Sequence, residues 1–119
     1  MLDEQGEERP LYEIVAQRVR EWDTEGNCGL VVGATYPEEL RRIRAICPHM
    51  PILIPGIGAQ GGDLEASVLA GVDEHGELAI ISSSRSVLYA SAGDDFASAS
   101  AEEARRVRNQ INTIRHALV

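Results

Sequence analysis

Three short runs of apolar, largely β-branched residues limit the folds open to this chain. They occupy residues 28–34, 51–55 and 78–82, and none shows the polar alternation of a strand with one solvated face. A helical pattern follows each run. Strands and helices that alternate at this length predict an α/β fold, in which right-handed crossovers join parallel strands.

A further helix is predicted before the first strand, from Pro10 to Trp22. Its apolar face is expected to comprise Leu11, Ile14, Val15, Val19 and Trp22. The segment before it, residues 1–9, is interpreted as an acidic N-terminal extension. Residues 10–119 then form the α/β part of the chain.

Capping signals predict where two later helices begin. Thr35 and Glu38 have the spacing of a capping box, which places a helix start at this point. Ser100 has the same relation to Glu103, so the final helix is expected to begin near Ser100. The Ala- and Ser-rich stretch before it, residues 90–101, is expected to be an exposed connection.

The strand count is too small for a closed structure. Three strands cannot close a barrel, and 119 residues are too few for a complete α/β barrel. All three strands are nevertheless apolar throughout, so both faces and both edges of the sheet need cover. The pattern therefore predicts one part of a larger parallel α/β unit.

The net charge and the absence of signal-peptide and membrane-span patterns argue against nucleic-acid-binding, secreted and membrane proteins. The formal net charge is -8, which provides no basic field for nucleic acid or an anionic membrane. The N-terminus lacks a signal peptide, and no apolar run approaches the ~20 residues of a membrane span. A soluble cytoplasmic protein is expected. Cys28 and Cys47 have no metal-site spacing and are expected to be buried thiols.

A glycine-rich loop between the second strand and its helix is the strongest functional signal. Residues 55–63 contain four glycines and lead directly into the helix. Glycines allow a tight loop, and a helix N-terminus offers unpaired N–H groups and a positive dipole end. This combination favours a phosphate site. A plain strand-to-helix turn is the alternative, although such a turn seldom needs four glycines.

A second candidate lies where the third strand ends, at Ser82 to Ser86. Arg85 lies in this stretch, and arginine can hold a phosphate through a bidentate fork. In α/β barrels, phosphate sites are often formed by the loops after the last two strands and a short extra helix. The two loops fit that pair. A surface ion pair is the alternative for Arg85.

A nucleotide cofactor is a competing interpretation of the glycine loop. Gly56, Gly58 and Gly61 match a G-x-G-x-x-G dinucleotide fingerprint. Dinucleotide folds usually carry this loop in their first strand-helix unit and an acidic residue after the next strand. Here an earlier unit precedes the loop, and Arg85 stands where the acid would be. An NADP site could use that arginine, so the alternative stays open.

Other polar residues are expected to be structural or solvated. Three histidines stand apart from any partner that would form a metal or catalytic site. They are His49, His75 and His116. Three arginines are expected on the solvated face of the second helix, beside acidic neighbours. They are Arg41, Arg42 and Arg44. No metal site is expected.

Three segments together resemble strands six to eight of the orotidine 5'-phosphate decarboxylases of the longer bacterial type. They are GLVVGAT at 29–35, PILIPGIGAQGGD at 51–63 and IISSSRSVLYAS at 80–91. The similarity runs from about Leu11 to Leu118, and the glycine-rich run is fairly specific to that group. The resemblance implies the C-terminal part of a TIM (β/α)8 barrel, with three parallel strand-helix units preceded by one helix.

The same resemblance implies an activity and a set of site residues. Members of the family are cofactor-free homodimers that convert orotidine 5'-phosphate to uridine 5'-phosphate (UMP) and carbon dioxide. By this resemblance, the side chains of Gln60 and Arg85 would bind the phosphate. The backbone N–H groups near Gly61 and Ser84 would donate to it as well. Pro55 and Gly56 would border the pyrimidine pocket.

One departure from the family is informative. The catalytic Asp-x-Lys-x-x-Asp motif does not occur, and all eleven basic residues are arginines. No catalytic residue is therefore expected in this chain, which is interpreted as a fragment or split subunit, inactive alone. It would pair with the missing N-terminal barrel part or with another copy. A non-catalytic half-barrel assembly module, or a segment of another phosphosugar enzyme, is the alternative.

Overall fold

A parallel sheet of three strands lies at the centre of the computed structural model, which describes residues 1–58 and 63–118. The strands are β1 (Leu30–Val31), β2 (Ile52–Ile54) and β3 (Ala79–Ile81), in the order β1-β2-β3. Both pairings are parallel. The α/β prediction is confirmed.

One layer of helices accompanies the sheet. The helices are α1 (Leu11–Trp22), α2 (Pro37–Ile46), α3 (Leu64–Gly71), α4 (Arg85–Leu88) and α5 (Phe96–His116). In this layer α1 packs on α2, α2 on α3, and α3 on α5, while α4 packs on α5. In the described part of the chain, no helix is long and apolar enough to cross a membrane.

The two faces of the sheet have opposite environments. Ile52 and Ile54 are fully buried in the core that the helices form with the sheet. Val31, Leu53 and Ile80 lie side by side in register, and they are 69%, 36% and 55% exposed. The strands are apolar on both faces, as predicted, but the described residues cover only one of them.

Arg44 is a buried residue, and its predicted place on a solvated face is wrong. Only 7% of the residue is exposed. Its Nε donates to the carbonyl of Gly71 at 2.7 Å, and its Nη2 donates to that of Leu78 at 3.0 Å. Its Nη1 donates to the carbonyls of Cys47 and Met50 at 3.0 and 2.6 Å. Arg44 thus joins the C-terminal ends of α2 and α3 to the chain entering β2 and β3.

Leu78, one of these acceptors, has an unusual backbone conformation. Its φ of 65° lies in the left-handed region, which a residue other than glycine rarely adopts. Its carbonyl accepts from Arg44 and also from the N–H of Ile52 at 2.9 Å. These two hydrogen bonds favour the strained conformation at the start of β3.

The turn before Leu78 is organised by Asp73. Its Oδ1 accepts from the backbone N–H groups of His75 and Glu77 at 2.9 and 2.8 Å. Burial opposes ionisation of this carboxyl group, but the hydrogen bonds outweigh burial and lower the pKa of Asp73. The folded turn therefore stabilises the ionised form of Asp73.

The final helix begins earlier than predicted. α5 starts at Phe96, so Ser100 lies inside the helix and does not cap it. The Ser100 hydroxyl donates instead to the carbonyl of Val87 at 2.6 Å, which ties α5 to α4. The alanines of this segment favour a helix, and the hydrogen bond to Val87 satisfies the hydroxyl of Ser100 within it. The predicted connection over residues 90–101 is therefore correct only for its first part.

The predicted capping box of α2 is also absent. Tyr36 is the N-cap residue of α2, and no side-chain hydrogen bond caps the helix. Pro37 occupies the first turn, where its missing N–H costs nothing and its fixed φ suits the helix. Proline and tertiary packing thus define this helix start without Thr35.

Helix α1 buries only part of the predicted apolar face. Ala16 is buried, and Tyr12 and Val19 pack against the core. Three of the residues assigned to the core face are exposed instead: Leu11 (59%), Val15 (49%) and Trp22 (70%). The contacts of α1 with its neighbours therefore use only part of its apolar surface.

Residues 1–9 fold back on themselves ahead of α1. Leu2 and Glu8 form an antiparallel bridge. Arg9 connects this turn to α1, because its Nη1 donates to Oε1 of Gln17 at 2.7 Å. The division into an extension and an α/β part stays a prediction.

We expect Arg44→Ala to lower the free energy of unfolding by about 3 kcal/mol or more, because buried carbonyls that lose a donor cost about 1–3 kcal/mol each. Urea denaturation measures the change. Arg41→Ala is the matched control, since Arg41 is exposed and pairs with Glu38 on the same helix. It should cost about 0.5 kcal/mol or less. Equal losses for the two variants would contradict the role of Arg44.

Asp73 should contribute pH-dependent stability. Because its pKa is lowered in the folded state, its contribution is fully present above the pKa of the unfolded chain, about 4. It is lost as the pH falls through the lower folded pKa. Asp73→Asn keeps an oxygen acceptor but not the charge. The stability difference between parent and variant should be constant from pH 7 to 5 and shrink below pH ~4 in urea titrations. A difference unchanged down to pH ~3 would contradict this.

Candidate functional site

The carboxyl end of the sheet brings the two predicted loops together. The carbonyl of Ile54, the last residue of β2, accepts from the N–H of Ser82 just after β3 at 3.1 Å. On the other side, the carbonyl of Pro55 accepts from the N–H of Ala34 at 3.0 Å. The chain segments that follow all three strands therefore leave the sheet at one edge, where ligands of parallel α/β folds bind.

The glycine loop begins with backbone that only glycine adopts readily. Pro55 and Gly56 are half-buried at the end of β2. Gly56 and Gly58 have φ values of 92° and 74°, in the region that L side chains avoid. A Cβ built on Gly58 would meet no atom of residues 1–58 and 63–118 within 4 Å, so these residues leave the space beside this backbone open. A ligand can approach the main chain at this point.

The middle of the loop contains two of the predicted ligands, Gln60 and Gly61, and both lie outside the described residues. The loop ends at Asp63, the N-cap of α3. Its Oδ1 accepts from the N–H of Ala66 at 2.9 Å. The first turn of α3 therefore already holds a carboxylate.

The predicted turn after β3 is followed by a short helix, α4, which begins at Arg85. Ser84 and Arg85 are both exposed. Within residues 1–58 and 63–118, neither of their backbone N–H groups has an acceptor. The hydroxyls of Ser83 and Ser86 share a hydrogen bond of 2.7 Å across the turn. The turn thus presents two N–H donors and one guanidinium group.

Arg85 differs from most arginines of this protein. Among the described residues it forms no side-chain hydrogen bond or ion pair, and the same holds for Arg105 on α5. Each of the other nine arginines has at least one partner in that part of the chain. The alternative role of Arg85, a surface ion pair, therefore finds no support here.

A third loop at the same edge was not predicted to belong to the site. It follows β1 and contains Tyr36, which is exposed. Its strand pairs with β2, so this loop is a neighbour of the glycine loop. The sequence contained a usable signal, since this loop also follows a predicted strand.

The two cysteines offer no activated nucleophile. Cys47 is buried as predicted, and burial raises the pKa of its thiol. Cys28 is only half-buried; desolvation raises its pKa, and the Asp23 carboxylate raises it further. Both thiols are therefore held in the neutral form.

The three histidines, His49, His75 and His116, are exposed. No group of three or more His, Cys, Asp or Glu side chains that could hold a metal ion occurs among the described residues. Among the described residues, the carboxyl edge brings the exposed guanidinium of Arg85 close in sequence to two backbone N–H groups without acceptors.

Comparison with known proteins identifies relatives in sequence and in structure. No protein-family model matches the chain. The chain is 54% identical over 109 residues to orotidine 5'-phosphate decarboxylase of Ralstonia nicotianae, a match that covers 91% of the chain and 40% of the relative. It is 53% identical over 110 residues to that of Dehalococcoides mccartyi, covering 92% and 41%.

Two solved Leishmania donovani structures share the fold. The UMP synthase superposes with a TM-score of 0.75 at 45% identity, over 92% of this chain and 23% of that one. The OMP decarboxylase gives a TM-score of 0.75 at 42% identity, over 92% and 40%.

The matches cover only part of each relative. The chain spans about 40% of the length of the curated relatives that it matches. The matched region is the C-terminal part of those proteins, and the structural neighbours are TIM barrels, so the partial-barrel prediction is confirmed. The chain is thus a homologue of the C-terminal part of the orotidine 5'-phosphate decarboxylases.

Proposed function

We propose that this chain binds the phosphate of orotidine 5'-phosphate or UMP within an orotidine 5'-phosphate decarboxylase, which forms UMP and carbon dioxide in pyrimidine biosynthesis. The observation that carries the proposal is Arg85. It is exposed and lacks a side-chain partner among the described residues. It follows β3, the strand that pairs with β2, and the glycine loop follows β2.

The available groups suit a phosphate. The guanidinium of Arg85 can donate two parallel hydrogen bonds to phosphate oxygens. The N–H groups of Ser84 and Arg85 add donors of fixed direction, and the open backbone at Gly58 allows a bulky anion to come close. Gln60 and Gly61 remain proposed ligands from the loop, with Pro55 and Gly56 beside the pyrimidine.

The cap of α3 affects how the loop would hold this anion. Asp63 already accepts from the first turn of α3 and contributes a negative charge there. A phosphate placed directly on that turn would meet this carboxylate at short range, which is unfavourable. We therefore place the phosphate against the glycine backbone and Arg85, with the dipole of α3 in a minor role.

Binding of the phosphate would support a reaction that takes place elsewhere in the active site. Interactions with a remote part of a substrate can offset the cost of holding its reacting group in an unfavourable environment. The reacting groups would belong to the part of the barrel that this match does not cover. We assign no catalytic residue and no cofactor to the chain. The homo-oligomer and the cytoplasmic location stay predictions.

Two alternatives can be tested directly. An NADP site would also use the glycine loop and Arg85, so selective protection from proteolysis by UMP or by NADP distinguishes them. A non-catalytic assembly module would bind its partner without any turnover. The curated relatives favour the decarboxylase interpretation.

In an assembly with the complementing barrel part, Arg85→Ala should weaken UMP binding about 10- to 150-fold, because hydrogen bonds to charged groups contribute about 1.5–3 kcal/mol. Calorimetric titration measures the affinity. Arg105→Ala is the matched control, because Arg105 is another exposed arginine without a described partner. Its UMP affinity should stay within about twofold of the parent.

Uridine separates phosphate binding from a general structural effect. Because it lacks the phosphate, Arg85→Ala should change its affinity little. The four affinities of two ligands for two proteins isolate the phosphate contribution. Equal weakening of uridine and UMP would show that Arg85 is structural.

The isolated chain should not decarboxylate orotidine 5'-phosphate. It contains no lysine, so it lacks the catalytic Asp-x-Lys-x-x-Asp motif of the family that it resembles. Release of carbon dioxide at high protein concentration is the measurement. Turnover above background that persists in Arg85→Ala would refute both the inactivity and the site assignment.

A further inference from the structure

Helix α4 is too short to hold its own conformation. Two backbone hydrogen bonds close it. The N–H of Leu88 donates to the carbonyl of Ser84 at 2.8 Å, and the N–H of Tyr89 donates to that of Arg85 at 2.9 Å. Starting a helix is costly, and isolated helices shorter than about 12 residues are marginal in water. The position of α4 must therefore depend on tertiary contacts.

The element against which α4 packs is α5. The hydroxyl of Ser100, in α5, donates to the carbonyl of Val87, in α4, at 2.6 Å. Both residues are half-buried. Within residues 1–58 and 63–118, no other hydrogen bond joins the two helices. Ser100 thus provides the directional contact between α4 and α5.

The Ser100 hydroxyl makes this contact in place of a local one. Serine within a helix commonly donates to a carbonyl one turn back in the same helix. Ser98 does so, because its hydroxyl donates to the carbonyl of Asp95 at 2.9 Å. Ser100 donates to a different helix instead. The two serines of α5 therefore have different roles, and Ser98 is a matched comparison for Ser100.

Helix α5 is itself anchored to the sheet. It has 21 residues and packs on α3. Near its C-terminal end, Nε of Arg115 donates at 2.6 Å to the carbonyl of Gly76, in the turn that precedes β3. The strand that leads to α4 and the helix that supports α4 are thus connected at the amino end of the sheet. Ser100 joins α4 to this frame.

We propose that Ser100 is a positioning residue for phosphate recognition. Arg85 begins α4, and among the described residues no side-chain partner orients its guanidinium. The direction of that group therefore depends on where α4 lies. A bidentate fork is geometrically specific, and binding groups must be held within about 0.5 Å of the productive geometry. By holding Val87, Ser100 keeps Arg85 in reach of the phosphate. This role rests on the proposed phosphate site; Ser100 itself would not touch the ligand.

Hydrogen exchange on the chain without ligand measures how firmly α4 is held. In Ser100→Ala, exchange at the amides of Leu88 and Tyr89 should accelerate at least about threefold, because local opening becomes easier when a tertiary hydrogen bond is lost. Alanine favours a helix more than serine does, so α5 should persist, which circular dichroism checks. Ser98→Ala is the control, and its exchange rates at these amides should stay within about twofold of the parent.

Calorimetric titration measures the effect on the ligand, in an assembly with the complementing barrel part. Ser100→Ala should weaken UMP binding about 3- to 10-fold, the range for one neutral hydrogen bond. Uridine binding should change less than about twofold, because uridine has no phosphate for Arg85 to hold. Ser98→Ala should leave both affinities within about twofold of the parent.

A double variant separates positioning from general structural damage. If Ser100 acts through Arg85, Ser100→Ala should weaken UMP binding by less than about twofold once Arg85 is already alanine. Structural damage would instead add its full effect to that of Arg85→Ala, and it would weaken uridine binding as well.

The role of Ser100 is overturned if Leu88 and Tyr89 exchange at the parent rate in Ser100→Ala, if UMP affinity is unchanged, or if the two substitutions are additive. In each of these cases Arg85→Ala alone can still weaken UMP binding, and the proposed function then stands. An unchanged UMP affinity in Arg85→Ala would refute the proposed function, and the role of Ser100 in phosphate recognition with it.

Discussion

The hydrogen bonds of Arg44 are the interaction on which the rest of this fold depends. One guanidinium group binds carbonyls from the ends of α2 and α3 and from the chain entering β2 and β3. Burial lowers the pKa of Arg44, with Asp73 acting in the opposite direction, but an arginine stays charged in a protein. A charged donor in a buried site holds its acceptors strongly, so the amino end of the sheet is rigid.

Rigidity at the amino end has consequences at the other end of the same strands. Because β2 and β3 start from fixed points and run parallel, the segments after them emerge side by side, and Ser82 bonds to Ile54. The glycine loop and Arg85 are thereby brought to one edge. In α/β barrels, residues at the amino ends of the strands contribute to stability, and residues at the carboxyl ends form the active site. The arrangement of this sheet agrees with that rule.

The sheet also leaves apolar surface that the described residues do not cover. Apolar residues on both faces need cover, yet the described residues leave a row of three exposed: Val31, Leu53 and Ile80. Soluble proteins seldom leave such contiguous surfaces exposed unless something binds them. The chain spans only 40–41% of the length of its curated relatives, so those proteins contain further chain that could cover an equivalent surface.

The sequence by itself determined the order of the strands and of the longer helices, the positions of the glycine loop and Arg85 after two of the strands, and the family, because these depend on local spacing and on short motifs. The short helix α4 was not predicted. Tertiary structure alone decided that Arg44 is buried, that Ala16 rather than Val15 faces the core, and that α5 begins at Phe96 with Ser100 inside it. Periodicity identifies an apolar face but not its neighbours. The carbonyls that bind Arg44 come from residues up to 34 positions away in the sequence. Only the folded chain brings such groups together, and burial is a property of those non-local contacts.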